Sequence, residues 1–426
     1  MRKIINNAFA HPGFRKYFAN TSWLLAEQIL RIIAGLLVGI YVARYLGPEK
    51  FGLFNYVLAF VALFTSIAKL GMDGIVVRDL VNEPEKRDIY LGTAFWLKFM
   101  GGLIAGTAIA IALAITQGEA TTILYIGIIA SGLIFYSFEV VDFYFQSRVL
   151  SKYVSICKIV QLLLSSVLKL YFVAISADLF WFVLVSLIDQ VSLAATLAYA
   201  YSKQKKGVFY TNFDKSVAKE LLLSAKPLIV SGILVSVYSS LDRVIIKEML
   251  GVREVGLYVA ASSLVSALYF VPYMIANSLF PAILNAKRQS ADLYNRRLSL
   301  LYKYSLLFGL TVSIFVTIFV SPIINILYGT SFAEASGVLK IYIWNYLLIC
   351  FSAIFGKWLL AENLQIMLPR FTLLAILLNL LGCWAFIPLW SIKGAALAAL
   401  ASQIVPLIWF GLTDVMVRRQ LLQIFN

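Results

Sequence analysis

Residues 45–56 of the chain read YLGPEKFGLFNY, and residues 249–260 read MLGVREVGLYVA. In both stretches Leu-Gly is followed, after four residues, by Gly-Leu and an aromatic ring, which predicts two equivalent turns between helices. The first glycine of each turn, Gly47 and Gly251, can take the left-handed conformation that closes a helix. The second, Gly52 and Gly256, has no side chain and lets neighbouring helices approach closely. The repeat therefore predicts two related helical lobes.

The composition predicts a membrane protein. Of the 426 residues, 61% are hydrophobic and only 13% are charged, and the mean hydropathy is +0.87, whereas soluble domains carry roughly 25% charged residues. A helix needs about 20 mostly apolar residues to cross a bilayer. We expect an all-α polytopic membrane protein with about twelve transmembrane helices, near 18–45, 51–70, 89–115, 121–144, 153–175, 179–201, 219–248, 254–280, 299–320, 336–360, 366–388 and 394–416.

The predicted spans fall into two groups of six. The polar and basic stretch SKQKKGVFYTNFDKS, residues 202–216, follows the sixth span. We therefore expect an N-terminal lobe at 1–203, a cytoplasmic linker at 204–216 and a C-terminal lobe at 217–426. Internal repeats of this kind are common in secondary transporters.

The net charge of +15 is explained by membrane topology. If both termini are cytoplasmic, most lysines and arginines of the connections lie on the inner side, where short loops rich in these residues stay. The outer connections then hold only Arg44, Lys50, Lys247, Arg253 and Lys393. This distribution predicts cytoplasmic termini and gives no reason to expect a nucleic-acid partner.

Several classes of chemistry lack the residues they need. The three cysteines lie inside apolar runs, and the single histidine, His11, lies in a polar N-terminal tail. Zinc sites and histidine-based acid-base catalysis therefore lack their usual groups. The chain also has no P-loop for ATP. We expect neither an enzyme nor a cofactor.

Basic residues inside predicted spans are costly in lipid and usually face a cavity or a partner. Span five carries Lys158, Gln161, Ser165 and Lys169 at spacings of 3, 4 and 4, which places them along one helix face. This stripe is expected to face a water-filled lumen, where its lysines would attract anions, or to face protein. Other cations inside predicted spans are Arg31, Lys98, Arg243 and Lys357. For the two lysines, the alternative to facing a cavity is a position near a helix end, from which the side chain snorkels to the membrane surface.

Acidic residues also occur inside the predicted spans. Glu27 stands four residues before Arg31, the favourable order for a pair along one helix. Glu139 and Asp142 share a face of span four, Asp189 lies near the middle of span six, and Asp242 lies in span seven. Asp189 is the deepest and is the first candidate for a protonatable coupling site, although pairing with a buried lysine is equally compatible with its position.

Several stretches together resemble the Wzx-type polysaccharide repeat-unit flippases of the multidrug/oligosaccharidyl-lipid/polysaccharide (MOP) exporter superfamily. They are NTSWLLAEQILRIIAGLLVGIYVARYLGPEKFGLFNY (20–56), LGMDGIVVRDL (70–80), DFYFQSR (142–148), LDRVIIKEMLGVREVGLYVAASSL (241–264) and SIKGAALAAL (391–400). The resemblance covers most of the chain. It implies two six-helix lobes around a central cavity that opens to either side of the bacterial inner membrane in turn.

The same resemblance implies a cargo of oligosaccharide on undecaprenyl pyrophosphate, met by basic cavity residues, with transport driven by an ion gradient. The residues that match in being basic and intramembrane are Arg31, Lys98, Lys158, Lys169, Arg243 and Lys357. The candidates for ion coupling are Glu27, Glu139, Asp142, Asp189 and Asp242. Membrane lipids and the polymerase and chain-length proteins of the same pathway are the expected partners.

Other functions remain open at this point. A cation-coupled multidrug exporter of the same superfamily would favour a hydrophobic cavity with one dominant carboxylate. A flippase for a peptidoglycan precursor would be expected to have additional C-terminal spans. A membrane-embedded glycosyltransferase or polymerase would need paired acids or an arginine-rich outer loop, and the sequence shows neither.

Overall fold

The computed structural model describes residues 12–116, 118–204 and 208–418, with only the backbone for residues 12–19. Regular structure in these ranges is helical, and none of their residues belongs to a strand. The all-α fold class predicted from the composition is confirmed. Both chain ends, to which the prediction of cytoplasmic termini refers, and residues 205–207 of the predicted linker lie outside the described ranges.

Most of the helices are long and apolar enough to cross a bilayer. The described ranges contain 11 such helical stretches, and the first runs over 63 residues, which suffices for two passes. Counting it twice gives the twelve spans that the sequence predicts. The helices are α1 Pro12–Lys69, α2 Asp73–Asn82, α3 Arg87–Thr116, α4 Ala120–Ser131, α5 Val140–Ser147, α6 Ser151–Ala174, α7 Leu179–Lys203, α8 Lys215–Leu250, α9 Val252–Leu268, α10 Phe270–Gln289, α11 Ala291–Ile318, α12 Val320–Leu327, α13 Ala335–Tyr342, α14 Trp344–Ala361, α15 Met367–Trp390 and α16 Ile392–Thr413, with 3-10 segments at Pro84–Lys86, Gly132–Glu139 and Thr330–Phe332.

The two copies of the repeated phrase form breaks between spans. Gly47 interrupts α1 with φ 71° and ψ 171°, and Gly251 separates α8 from α9 with φ 110° and ψ 176°. The positive φ expected from the sequence is confirmed at both positions. The ψ values place both residues in an extended region that essentially only glycine adopts, rather than in the left-handed helical region. A side chain at either position would therefore strain the backbone.

The fourth span is not a continuous α-helix. Between α4 and α5 lie eight residues of 3-10 helix, Gly132–Glu139, although 3-10 runs longer than three or four residues are uncommon. Gly102 of α3 packs closely on this segment, because a Cβ at Gly102 would lie 2.9 Å from Ile134 Cα. The 3-10 geometry determines where the Glu139 side chain points.

The chain forms two compact units. The first comprises the residues up to Val42 together with Val57–Ser236, and the second comprises Ala43–Tyr56 together with the chain from Val237 onward. The turn inside α1 thus belongs to the second unit, although the helical arms on both sides of it belong to the first. The predicted lobes at 1–203 and 217–426 were defined by six spans each, whereas the two units are defined by compactness. The lobes therefore stay a prediction.

In the first unit, part of the predicted linker is packed against α3. Phe209 is buried, with ring centroids 5.5 Å from Phe95 and 5.3 Å from Tyr201. Trp96 Nε1 donates a hydrogen bond to the carbonyl oxygen of Tyr210 at 2.9 Å. These contacts attach the described end of the linker to the third span.

In the second unit, aromatic rings join α14, α15 and α16. Phe355 of α14 lies 5.4 Å from Trp358 and 5.5 Å from Phe371 of α15, measured between ring centroids. Phe371 in turn lies 4.1 Å from Phe410 of α16. Because lipid tails remove most of the hydrophobic driving force between helices, close packing of this kind carries much of the association energy.

Candidate functional site

Three charged side chains meet in the membrane-spanning part of the first unit. Lys98 Nζ of α3 donates to Glu139 Oε2 at 2.8 Å, and Lys69 Nζ, at the end of α1, lies 3.1 Å from Glu139 Oε1. The Lys98 side chain is fully buried, whereas that of Lys69 is 36% exposed. Asp73 adds a more distant carboxylate, 3.9 Å from Lys98 Nζ. One carboxylate therefore holds a buried and an accessible ammonium group together.

Aromatic rings surround the same two lysines. Lys69 Nζ lies 4.6 Å from the ring centroid of Tyr136, and Lys98 Nζ lies 4.7 Å from that of Phe143. The hydroxyl of Tyr136 accepts a hydrogen bond from Gln190 Nε2 at 3.4 Å. Ring faces attract cations, so these rings stabilise both ammonium groups within the bundle.

The polar stripe of span five faces carboxylates on neighbouring helices of the first unit. Lys158 Nζ lies 3.1 Å from Asp142 Oδ2 of α5, and Lys169 Nζ lies 3.6 Å from Asp189 Oδ2 of α7. The Ser165 hydroxyl also donates to Asp189 Oδ2, at 3.0 Å. Of the two interpretations of Asp189, pairing with a lysine is therefore the one that the structure shows. The exposure of the stripe to a water-filled lumen stays a prediction.

Glu27 and Arg31 form the pair expected from their spacing. Arg31 Nε donates to Glu27 Oε1 at 2.7 Å. The side chain of Glu27 is 6% exposed and that of Arg31 is 39% exposed. The intrahelical pair is confirmed, and a role of either side chain in lining a cavity stays a prediction.

The second unit contains a different kind of acidic site. Asp242 Oδ2 of α8 accepts a hydrogen bond from the Tyr258 hydroxyl at 2.7 Å, and the side chain of Asn379 lies beside the same carboxylate. Asp242 Oδ1 is buried and makes no hydrogen bond to any described residue. The Tyr258 ring packs edge-on against Tyr342, with centroids 5.6 Å apart. Asp242 therefore lies beside tyrosine rings, with Arg243 as a charged neighbour, and its Oδ1 has no hydrogen bond in the described ranges.

The two remaining candidate cations form no ion pair within 4 Å in the part of the chain that the structure describes, although Arg243 interacts electrostatically with Asp242. Arg243 follows Asp242 on α8 and is half-buried. Lys357 of α14 is also half-buried, and its Nζ lies 5.2 Å from the ring centroid of Phe280 on α10. Neither residue joins the ion pairs of the first unit.

Lys69 and Tyr258 are two of the members of these groups that sequence reasoning misses. Lys69 lies at the end of an apolar run, the usual place of a snorkelling side chain, and nothing local indicates Glu139 as its partner. Tyr258 is the aromatic residue of the second repeated phrase, where the first phrase has Phe54. The hydroxyl that distinguishes Tyr258 from Phe54 is the group that binds Asp242. A search for polar differences between the two repeats would have found it.

The arrangement suits binding and proton transfer within a membrane. The first unit holds cations whose charge is balanced by carboxylates, and the second holds a carboxylate that a proton or a cation could neutralise. No group of three or more histidine, cysteine, aspartate or glutamate side chains in the described ranges could hold a metal ion.

Comparison with known proteins places the chain in a family. Residues 17–287, more than half of the chain, match the family described as "Polysaccharide biosynthesis protein". The chain belongs to this family. The resemblance to polysaccharide exporters of the MOP superfamily inferred from the sequence is thereby confirmed at the level of the family.

A curated relative supports the family over nearly the whole length. The chain is 22% identical over 396 residues to the capsular polysaccharide biosynthesis protein CapF of Staphylococcus aureus, covering 91% of this chain and 97% of that protein. As a member of the polysaccharide biosynthesis family, the chain is similar to CapF from end to end rather than through one shared segment.

Solved structures identify the fold of this family member as that of MOP-superfamily transporters. An inward-facing multidrug resistance MATE family transporter aligns with TM-score 0.72 at 15% identity, covering 91% of this chain and 96% of the other. An outward-facing MATE structure aligns with TM-score 0.61 at 15% identity, covering 95% and 96%. A MOP transporter from Pyrococcus furiosus, described as having a binding pocket of reversed polarity, aligns with TM-score 0.60 at 14% identity, covering 96% of each chain.

Proposed function

We propose that the chain is a flippase. It translocates oligosaccharide repeat units of O-antigen, capsule or another exopolysaccharide, linked to undecaprenyl pyrophosphate, from the cytoplasmic to the outer face of the bacterial inner membrane. It does so by alternating access coupled to an ion gradient. The family match supports the link to polysaccharide synthesis, and the fold supports transport.

The observation that carries this proposal is the set of ion-paired lysines inside the spans of the first unit. Lys98, Lys158 and Lys169 each lie within 4 Å of a carboxylate on another helix. An isolated charge in hydrocarbon is prohibitively costly, so a diphosphate and its sugars need a polar route with cations. Lysines held by carboxylates supply such a route without leaving uncompensated charge when it is empty.

Asp242 is our candidate for ion coupling, beside the acids paired with lysines. A carboxylate that is held by the Tyr258 hydroxyl and the neighbouring Asn379 side chain rather than by a salt bridge changes protonation without breaking an ion pair. Asp242 belongs to the second unit, whereas the ion-paired Lys98, Lys158 and Lys169 belong to the first. Membrane lipids, and the polymerase and chain-length proteins of the same pathway, are the partners that such a function requires.

The second candidate function is a cation-coupled multidrug exporter. The setting of Asp242 favours it, because one carboxylate flanked by the rings of Tyr258 and Tyr342 also suits an organic cation. The paired lysines of the first unit have no role in that function. A requirement for those lysines in transport therefore distinguishes the two candidates.

Deletion of the gene in its own host tests the proposal. Lipid-linked repeat units are expected to accumulate on the cytoplasmic face, surface polymer is expected to disappear, and the wild-type gene is expected to restore it. Susceptibility to organic cations should not change. Normal polymer display in a deletion strain without a paralogous flippase would contradict the proposal.

A further inference from the structure

Glu139 bridges the two lysines of the first unit as a small anion would. We propose that Glu139 is an exchangeable counter-ion: the diphosphate group of the cargo displaces it and takes its place between Lys69 and Lys98. This inference rests on the proposed function, since it assigns the cargo's headgroup a specific binding site and describes how Glu139 vacates that site.

The geometry of the bridge matches that of a phosphate group between two ammonium groups. Each carboxylate oxygen of Glu139 contacts one lysine: Oε2 lies 2.8 Å from Lys98 Nζ, and Oε1 lies 3.1 Å from Lys69 Nζ. Phosphate oxygens accept charge-assisted hydrogen bonds of the same kind at the same lengths. The two ammonium groups are thus already arranged for an anion with at least two oxygens.

The exposures of the three side chains define an order of events. Lys69 is 36% exposed, Glu139 is 19% exposed and Lys98 is fully buried. An anion can contact Lys69 first, because this is the accessible side of the bridge. It reaches Lys98 only when Glu139 has left, so contact with the buried lysine reports a completed exchange.

The charge balance favours exchange over simple addition. Lys69 and Lys98 are balanced by Glu139 and by Asp73, which lies 3.9 Å from Lys98. A diphosphate added to this group would place an excess of negative charge in a poorly solvated site, where like charges repel strongly. Departure of Glu139 relieves that repulsion and leaves the lysines to the cargo.

The segment that carries Glu139 has a means of moving it. Glu139 is the last of eight residues of 3-10 helix. An α-helix turns about 20° less per residue than a 3-10 helix and rises about 0.5 Å less. Conversion of the eight residues would turn Glu139 by roughly 160° relative to α4 and shorten the span by about 4 Å. Such a change takes the carboxylate away from both lysines.

The other ion pairs of the first unit lack this combination. Among the described residues, Asp189 on the α-helix α7 pairs with one lysine, Lys169, and Asp142 on α5 pairs with one lysine, Lys158. Asp189 is also fixed by the Ser165 hydroxyl. The matched control is Glu83, whose carboxylate pairs with Lys86 outside the predicted spans and has no role in the proposed function.

Anion binding to the purified full-length protein in nanodiscs tests the exchange. We would titrate inorganic pyrophosphate, farnesyl diphosphate and farnesyl monophosphate into wild type, Glu139→Gln, Lys69→Gln and Glu83→Gln. Glu139→Gln frees both lysines and is expected to bind pyrophosphate at least about tenfold more tightly than wild type, and Lys69→Gln about tenfold more weakly. Glu83→Gln frees Lys86, which is not a candidate for cargo binding, and should bind pyrophosphate as wild type does.

The pattern of results decides the proposal. Unchanged or weaker pyrophosphate binding by Glu139→Gln would overturn it, and so would wild-type binding by Lys69→Gln. Lys69→Gln leaves the buried Lys98–Glu139 pair intact, so it keeps the test valid if Glu139→Gln does not fold. Farnesyl diphosphate binding more tightly than pyrophosphate identifies a lipid headgroup as the ligand, whereas equal binding identifies a free diphosphate.

The proposed function can fail independently of the exchange. If the protein transports lipid-linked oligosaccharide but Glu139→Gln does not bind pyrophosphate more tightly than wild type, the exchange is refuted and the flippase function stands. If Glu139→Gln binds pyrophosphate more tightly but the protein moves no lipid-linked oligosaccharide, the diphosphate site stands and the flippase function is refuted.

The movement of the 3-10 segment has its own measurement. Spin labels at the exposed positions Leu124 and Arg148 flank the segment, in a background without the buried Cys157, Cys350 and Cys383. Pyrophosphate is expected to shorten the distance between the labels by about 4 Å, as measured by double electron-electron resonance. An unchanged distance at saturating pyrophosphate would overturn the conversion of the segment.

Discussion

Gly52 and Gly256, the second glycines of the two repeated phrases, lie against each other within the second unit. A Cβ on Gly52 would overlap the carbonyl oxygen of Val252, and a Cβ on Gly256 would overlap the carbonyl oxygen of Pro48. The contact is reciprocal, as expected where two copies of one turn pack across a local two-fold axis. The repeat is therefore a contact surface as well as a record of duplication.

Substitution of Gly52 or Gly256 by alanine is expected to destabilise the protein by about 1–3 kcal/mol, because the new methyl group meets backbone rather than a flexible side chain. Thermal unfolding in detergent measures the effect. Gly39→Ala is the control, since nothing lies within 4 Å of a Cβ there and alanine favours a helix interior by up to roughly 1 kcal/mol. An unchanged unfolding midpoint for Gly52→Ala would show that the turns do not need this contact.

Loss of Lys98 is expected to cost more stability than loss of Lys158. Lys98 is fully buried and Lys158 is 27% exposed, and breaking a buried pair costs about 3–5 kcal/mol. Unfolding of Lys98→Met and Lys158→Met in denaturant compares the two. Combining Lys98→Met with Glu139→Gln should recover part of the loss, and the absence of any recovery would mean that the two side chains are not coupled.

The spans were predictable from sequence, because hydropathy over about 20 residues is a direct physical requirement of the bilayer. The fifth span, predicted at 153–175, is Ser151–Ala174, and the sixth, predicted at 179–201, is Leu179–Lys203. The Glu27–Arg31 pair was equally predictable, because both side chains lie on one helix at fixed spacing.

The partners of Glu139 were not predictable in this way. Its α-helical spacing places it on one face with Asp142, yet Glu139 binds Lys98 of α3, 41 residues away in the chain, and Asp142 binds Lys158 of α6. The 3-10 geometry of Gly132–Glu139, a segment on which Gly102 packs closely, changes the direction of its side chains. Contacts between helices depend on such rotations, which a single sequence does not encode locally.

Exchanging the charges of Lys169 and Asp189 separates a structural role from a transport role. Lys169→Asp alone places two carboxylates together and should reduce stability, and Lys169→Asp with Asp189→Lys should restore both the pair and the stability. We expect the double variant to remain defective in polymer export, because the cation no longer lies on span five. Full export by the double variant, measured as surface polymer, would show that the pair serves only the fold.

Asp242→Asn is expected to remove the dependence of transport on an ion gradient, since it keeps the shape of the side chain and removes its charge. The gradient-driven rate should therefore fall to the basal rate, while basal transport persists. Tyr258→Phe is the control: it removes the hydrogen bond at 2.7 Å and retains the carboxylate. Gradient-dependent transport by Asp242→Asn in proteoliposomes would exclude Asp242 as the coupling site.

Direct measurement of lipid-linked oligosaccharide movement tests the flippase function itself. The purified protein is reconstituted into vesicles that carry a fluorescent oligosaccharide on polyprenyl diphosphate in both leaflets, and a membrane-impermeant quencher is added outside. We predict that wild-type protein makes the inner-leaflet label accessible, that Lys69→Gln slows this, and that protein-free vesicles keep the inner label protected. Inner label that stays protected in vesicles whose protein transports an organic cation would contradict the flippase and establish the exporter in its place.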